Sequence, residues 1–178
     1  MVIDAIGDSR TPPKSIAYAI LGLCTPQHQS QLEVAIKRNR CDETIRILGE
    51  VSPGVLRSYL THADICVNLR FPAIEGASGS VIEEMFFAKP VIVNDIGFFR
   101  ELPGECVIKI KPNSHQALVA ALGRLINDGK LREQLGSKAR EFAQVEFKSG
   151  EICHRYPGSR AGGARGKAAA RFVRQNWC

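Results

Sequence analysis

The feature that most constrains the fold of this chain is an alternation of short β-branched runs with longer segments of helical periodicity. The strand-like runs are residues 17–24, 44–48, 65–69, 91–93 and 107–110. The helix-like segments are residues 29–40, 52–62, 80–88, 114–127 and 131–146. Strands that alternate with helices pair as a parallel sheet covered by helices. The order predicts an α/β fold with a doubly wound sheet, whose ligands bind beyond the carboxyl ends of the strands.

Local chemistry supports several of these boundaries. Pro53 suits the first position of a helix, and Ser114 is placed to cap another. The residue before a proline is disfavoured in a helix, so Lys89-Pro90 predicts a helix end. The continuous apolar run Val91-Ile92-Val93 is typical of a strand buried on both faces.

The charge of the chain is unevenly distributed. The net charge is +6, but residues 155–178 carry six basic and no acidic residues, so the rest is formally neutral. We therefore predict a body at residues 1–154 and a basic low-complexity tail at residues 155–178. A basic tail can contact nucleic acid or anionic lipid, but its Gly/Ala/Arg-rich composition is also typical of low-complexity sequence, and a nucleic-acid partner is not expected.

The remaining composition points to a cytoplasmic globular protein. No apolar run reaches the roughly 18 residues of a transmembrane segment, and the N-terminus lacks the features of a secretory signal. The six cysteines form no C-x-x-C pair, so reduced structural thiols are expected. The four histidines are isolated, and no metal site is predicted.

The loop after the third predicted strand is the place to look for chemistry. Its small residues, Gly76, Ala77, Ser78 and Gly79, leave backbone amides uncovered just before a helix begins. A helix start presents unpaired N–H groups and a positive dipole, which suit a phosphate or a sugar hydroxyl.

Two glutamates flank this helix start. Glu75 precedes the helix and Glu83 lies within its first turns, so both can face one ligand. A carboxylate accepts two hydrogen bonds, so Glu83 can hold neighbouring ribose hydroxyls while Glu75 holds those of a second sugar. The alternative is that Ser78 or Ser80 caps the helix and Glu83 stabilises its positive end.

Three stretches of this region carry a family resemblance: residues 63–70, 75–83 and 88–97. They resemble the donor-binding domain of retaining glycosyltransferases of family 4, or group 1, which have the GT-B fold. The resemblance runs from about residue 44 to residue 146 and implies a Rossmann-like single domain, half of a GT-B enzyme. Arg70-Phe71-Pro72 and residues 97–103 look most like a bacterial subgroup of that family.

The resemblance also implies roles for individual residues. Glu75 is expected to be catalytic, in contact with the transferred sugar, and Glu83 is expected to bind the ribose of a nucleotide-sugar donor. Residues 76–80, Gly76-Ala77-Ser78-Gly79-Ser80, would bind the sugar and diphosphate. Val51 falls where the family contacts the nucleotide base. Lys14 corresponds to a phosphate-binding lysine, or is a surface lysine.

The chain departs from the family in two respects. In the best-fitting subgroup the loop glutamate stands one position later, where this chain has Gly76. A GT-B enzyme also has a second, acceptor domain, for which this chain has no room. The shortened N-terminal part and the unrelated tail predict a truncated, fused or frame-shifted product, with a separately encoded acceptor domain as a possible partner.

These observations predict a metal-independent donor domain that uses no cofactor, with two alternatives. One is a non-catalytic nucleotide-sugar-binding or interaction module, and the other is a nucleotide-sugar epimerase-like half. A dinucleotide-dependent oxidoreductase is excluded because no G-x-G-x-x-G links a strand to a helix. Phe86 and Phe87 are expected on a buried helix face, whereas Phe98 and Phe99 suit either the core or a contact with a partner domain.

Overall fold

The computed structural model describes residues 1–8, 16–71 and 77–147, which form an α/β fold. The described helices are α1 (Val2–Gly7), α2 (Pro26–Arg38), α3 (Pro53–His62), α4 (Gly79–Phe86), α5 (Phe98–Glu101), α6 (His115–Asn127) and α7 (Gly129–Glu146). The described strands are β1 (Tyr18–Leu21), β2 (Ile45–Gly49), β3 (Cys66–Asn68), β4 (Val91–Asn94) and β5 (Val107–Ile110). The predicted alternation of strands and helices is confirmed.

All pairings between the described strands are parallel, as predicted. Strand β1 pairs with β2, and the other three strands are ordered β3-β4-β5. Within the described residues the strands therefore form two hydrogen-bonded sheets, where the sequence analysis expected one. Among the described strands, no hydrogen-bonded ladder joins β1 or β2 to β3.

Two apolar clusters cover the faces of the sheets. The larger cluster joins β1 to β3 through side chains of α1, α2 and α6, and the smaller one packs α4, α5 and α7 together. Strand β4 contributes Ile92 to the first cluster and Val91 and Val93 to the second, so it is buried on both faces as predicted. Helix α7 passes from the first cluster, at Leu135, to the second, at Ala139.

Side-chain caps explain where several helices begin. Thr25 accepts a hydrogen bond from the His28 amide, and Pro26 begins α2 three residues earlier than predicted. Ser52 caps α3, Ser114 caps α6 as predicted, and Asp128 caps α7. A hydroxyl or carboxylate at the N-cap satisfies an amide that the helix itself leaves unpaired.

The sequence analysis missed the two shortest helices. Helix α1 buries Val2, Ile3, Ala5 and Ile6 although it has only six residues. Helix α5 has four residues and buries Phe99. Segments this short contain less than two turns, so the 3.6-residue period cannot be read from them.

The two phenylalanine pairs, Phe86-Phe87 and Phe98-Phe99, pack into the second apolar cluster. Phe87 is buried, and Phe86 packs against the second cluster, which confirms the predicted buried helix face. Phe99 is buried, and Phe98 contacts Phe99 and Phe147 with ring centroids 5.8 and 6.4 Å apart. Phe98 and Phe99 therefore belong to the core.

The described residues include four free cysteines, of which Cys41, Cys66 and Cys106 are buried. None of the helices in this part of the chain is both long enough and apolar enough to cross a bilayer. The predicted tail at residues 155–178 lies outside the described residues.

Candidate functional site

The candidate site is built where α4 begins, at the carboxyl end of β3. All three residues of β3 are buried, and the chain leaves the sheet after Asn68. Ala77 and Ser78 directly precede α4, whose first residue is Gly79. A parallel strand and the helix after it thus place a helix N-terminus at the edge of the sheet, as in other ligand-binding α/β folds.

The N-terminus of α4 has no side-chain cap. Ser78 occupies the N-cap position, but its hydroxyl accepts no hydrogen bond from the helix and instead lies 3.2 Å from the Ser80 hydroxyl. The first turn of α4 contains no acidic residue, and Glu83 is the fifth residue of the helix. The side-chain cap predicted at Ser78 is therefore not formed, whereas the effect of Glu83 on the helix start stays a prediction.

A buried polar cluster connects this helix to β3. The Asn68 side-chain amide donates to the Ser80 hydroxyl at 2.9 Å and to a Glu84 carboxylate oxygen at 3.5 Å. Asn68 and Glu84 are completely buried, and Ser78 and Ser80 are nearly so. The Asn68 Oδ1 atom is buried without a hydrogen-bond partner. This cluster fixes the position of the first turn of α4 relative to the sheet.

A second buried asparagine lies on the neighbouring strand. Asn94 is the last residue of β4, and its side-chain amide donates to the Arg70 carbonyl at 2.9 Å. Its Oδ1 atom is also buried without a hydrogen-bond partner. Asn94 holds the backbone where it leaves β3, so the stretch between β3 and α4 is fixed at its start.

Sequence reasoning assigned neither asparagine to the candidate site. The available signal was their shared position: β3 and β4 each end in asparagine after an apolar run. An asparagine at the end of each of two adjacent buried strands indicates that polar side chains line the edge of the sheet at their carboxyl ends.

The structure brings together only part of the predicted site. Ala77 and Gly79 are exposed, Glu83 is half-buried, and Ser78 and Ser80 are buried as whole residues. Lys14, Glu75 and Gly76 lie outside the described residues.

Val51 lies at a different strand end. It follows the carboxyl end of β2 and directly precedes Ser52, the cap of α3. It is half-buried, at the end of a strand in the other sheet.

The space beside Gly79 is open. A Cβ atom built on Gly79 would meet no heavy atom of the described residues within 4 Å, so among these residues the first residue of α4 borders free space. Uncapped amides next to open space can approach an anionic group closely. Among residues 1–8, 16–71 and 77–147, no group of three His, Cys, Asp or Glu side chains is arranged to hold a metal ion.

Comparisons with known proteins identify the family. The family model described as glycosyl transferases group 1 matches residues 1–142. The putative teichuronic acid biosynthesis glycosyltransferase TuaC of Bacillus subtilis is 31% identical over 106 residues, which are 59% of this chain and 27% of that protein.

Solved structures share the fold. Anabaena Alr3699/HepE in complex with UDP and glucose is 20% identical with a TM-score of 0.73, over 82% of this chain and 40% of that chain. Sucrose-phosphate synthase from Thermosynechococcus elongatus is 22% identical with a TM-score of 0.67, over 82% of this chain and 37% of that chain. The chain thus spans well under half the length of these relatives.

Proposed function

Since this chain belongs to the glycosyl transferases group 1 family, we propose that it is the donor-binding part of a retaining family 4 glycosyltransferase. In this proposal the chain binds a nucleoside-diphosphate sugar, and the sugar is transferred with retention of its anomeric configuration. The presence of UDP and glucose in the similar Anabaena structure supports a nucleotide-sugar donor.

The observation that carries the proposal is the uncapped start of α4. Its amides border open space at Gly79, and buried polar contacts from Asn68 hold the helix in place. A fixed array of N–H donors at a helix N-terminus stabilises a diphosphate without having to reorganise when the charge develops.

We assign the remaining roles as the resemblance implies. Glu83 binds the ribose hydroxyls of the donor, and Glu75 is the catalytic residue that contacts the transferred sugar. The backbone of residues 76–80 contacts the sugar and diphosphate, while Val51 contacts the base and Lys14 the diphosphate. The proposed reaction uses no metal ion or other cofactor, because the backbone amides of residues 76–80 and the ammonium group of Lys14 stabilise the leaving diphosphate.

In this proposal the acceptor is presented by a second domain. Leu23, Val55 and Phe71 are large apolar side chains with exposed fractions of 68%, 43% and 64%. Leu23 and Phe71 follow β1 and β3 closely, and Val55 lies in the first turn of the helix after β2. Apolar side chains exposed near the carboxyl ends of strands support a partner that covers this edge.

We also propose that the protein works in the cytoplasm. Among the described residues Cys41 and Cys106 are buried thiols that form no disulfide, and such thiols are typical of proteins in a reducing compartment.

Calorimetric titration with UDP and GDP, each with and without an attached sugar, tests donor binding. We expect a nucleoside diphosphate to bind and the attached sugar to increase the affinity. A folded chain that binds none of these compounds would contradict the proposal.

Substitution of Gly79 tests whether the open space receives the diphosphate. Gly79→Ala introduces a methyl group where nothing is in contact, so we expect intact folding and roughly tenfold weaker donor binding. Gly123→Ala on α6 is the matched control, since its added Cβ also meets no heavy atom within 4 Å. Equal donor affinity in both variants would show that the ligand does not approach Gly79.

Substitution of Glu83 tests the ribose assignment. Glu83→Gln replaces a charged acceptor by an amide of the same shape, and we expect nucleotide binding to weaken roughly tenfold. Glu133→Gln, an exposed residue of α7, controls for the change in net charge. Unchanged affinity of Glu83→Gln would remove Glu83 from the ribose site.

Binding of the donor without turnover is the second candidate. The chain covers 40% of the length of the Anabaena structure, so groups that position an acceptor in a longer protein lie outside its span. Donor binding with neither transfer nor hydrolysis, in the presence of candidate acceptors, would favour this second function.

A further inference from the structure

A cleft of about 770 Å³ lies beside β5, and it shares no lining residue with the candidate donor site. One wall contains Val107, Ile108 and Lys109 of β5. The opposite wall contains residues of α7, including Leu131 and Lys138. A cleft of this volume is within the range that binds ligands, and it has room for a short extended segment.

The strand lines this cleft with its backbone edge. Side chains alternate between the two faces of a strand, so three consecutive lining residues place the edge of β5 in the wall. The Ile110 carbonyl accepts from the Asp95 amide on the side of β4. The N–H and C=O groups of successive residues in a parallel strand point to alternate sides. Those of Val107 and Lys109 therefore face away from β4, toward the cleft. Strand β5 ends the order β3-β4-β5, and no strand among the described residues pairs with this edge.

The edge lacks the lysine protection that is common in natural sheets. Lys109 is the only lysine of β5, but its ammonium group donates to the Arg100 carbonyl of α5 at 2.6 Å. Its side chain is therefore held at α5. Leu131, Gln134 and Lys138 follow helical spacing, so one face of α7 forms the far wall.

Contacts at both ends hold the cleft open. The Cys106 thiol lies 3.4 Å from the Lys138 carbonyl and connects the start of β5 to the middle of α7. The Arg132 guanidinium donates to the carbonyls of Leu125 and Ile126 and fixes the turn between α6 and α7. A preformed slot between a strand edge and a helix lowers the entropic cost of adding a strand.

The charge of the lining selects the occupant. Two basic side chains, Arg124 and Lys138, line the cleft together with one acidic residue, Glu105, while the ammonium group of Lys109 is held at α5 and Lys138 also contacts Glu141 at 3.3 Å. The tail at residues 155–178 has six basic and no acidic residues, so its charge opposes binding here. We propose that this cleft binds an extended acidic peptide segment of another protein, which adds as a strand to the free edge of β5.

A labelled peptide tests the proposal directly. The probe is a fluorescein-labelled five-residue peptide of alternating Glu and Val, and its binding to the full chain is followed by fluorescence anisotropy. We expect it to bind, and we expect protection from hydrogen exchange at the amides of Val107 and Lys109. A matched Lys/Val peptide and a Glu/Val peptide with a central proline are expected to bind at least tenfold more weakly. Equal binding of the proline peptide would indicate a non-specific polyanion site and would overturn the proposal.

Two pairs of variants separate charge from backbone pairing. The double variant Arg124→Glu/Lys138→Glu is expected to weaken peptide binding roughly tenfold. Lys130→Glu, at a residue outside the lining of the cleft, is expected to change the peptide affinity by no more than about twofold. Both Lys109→Pro and Lys109→Ala remove the ammonium group and its hydrogen bond to the Arg100 carbonyl, but only Lys109→Pro also removes an edge amide. We expect the proline variant to bind at least fivefold more weakly than the alanine variant. Equal affinity of these two variants, or absence of binding by the folded chain, would refute strand addition.

Discussion

The part of the molecule built on β1 and β2 and the part built on β3, β4 and β5 differ in what they bury. Every buried polar or charged residue among those described lies at the carboxyl ends of β3 and β4 or in the first turns of α4. These residues are Asn68, Ser78, Ser80, Glu84 and Asn94. In the two-stranded part, all four residues of β1 are buried, three of them are aliphatic and the fourth is Tyr18, and the polar contacts of α1 lie near the surface.

This difference distinguishes the two-stranded part, which supports the fold, from the three-stranded part, which forms the candidate site. Burying a polar group is unfavourable unless hydrogen bonds replace those made to water. The three-stranded part retains Asn68 and Asn94, although one oxygen of each is buried without a partner. Apolar side chains in place of Asn68 and Asn94 would give a more stable fold. We infer that the two-stranded part supplies stability, whereas the three-stranded part gives up some stability to hold the start of α4.

The largest effect is expected where α7 supports α4. A Cβ atom on Gly136 would overlap with the carbonyl oxygen of Ala88, which is backbone and cannot move aside alone. Gly136→Ala should therefore lower the free energy of unfolding by at least about 3 kcal/mol, measured by urea denaturation.

Gly123→Ala is the control for this prediction. Gly123 also lies within a helix, but its added Cβ meets no heavy atom within 4 Å. Alanine has the higher helix propensity, so this variant should be more stable by about 0.5–1 kcal/mol. If both variants were equally stable, α7 would not pack as closely on the end of α4 as the structure shows.

A paired substitution tests the division between scaffold and site. Asn68→Ala removes the donor to the Ser80 hydroxyl and should destabilise the fold by about 2 kcal/mol. Ile20→Val in β1 removes one buried methyl group and should destabilise it by about 1 kcal/mol. We expect nucleotide affinity, corrected for the unfolded fraction, to fall only in Asn68→Ala. Equal losses in calorimetry would show that the two parts are not separate in function.

The parallel α/β architecture was predictable because each of its longer elements carries its own periodic signal. The runs at residues 91–93 and 107–110 were both assigned correctly, and α6 begins at the predicted cap Ser114. The separation into two sheets was not predictable, since strand pairing depends on which edges meet in space. Helix α1 was missed because tertiary burial, rather than local pattern, stabilises its six residues.

The site was predictable in position but not in detail. Small residues before an apolar segment indicated the start of α4, and the structure places Gly79 there next to open space. The inward orientation of Ser78 and Ser80 was not predictable, because it depends on Asn68, which lies on a different element twelve residues before Ser80. The roles of Glu75, Glu83, Val51 and Lys14 remain predictions.

The smallest expected effect concerns the surface anchor of the two-stranded part. Asp4 of α1 contacts the N-terminal amine at 2.9 Å, the Asn39 amide at 3.0 Å and the Arg38 guanidinium. These partners, the N-terminal amine above all, hold the pKa of Asp4 well below its usual range, although partial burial opposes the shift. Asp4→Asn should therefore destabilise the protein near neutral pH by about 1 kcal/mol, a value reduced by solvent screening.

The pH dependence of this effect decides whether the anchor is electrostatic. Because the folded-state pKa of Asp4 is depressed, its stabilisation is complete above the unfolded-state pKa of about 3.9 and is lost as the pH falls through the folded-state value. The difference in unfolding free energy between the protein and Asp4→Asn should hence be constant from pH 7 to 5 and shrink below about pH 4. Glu33→Gln, an exposed carboxylate on α2, controls for the loss of one negative charge. A difference that persists unchanged at pH 3 would mean that α1 is held to α2 by packing alone, and the two-stranded part would then differ even more from the polar cluster beside α4.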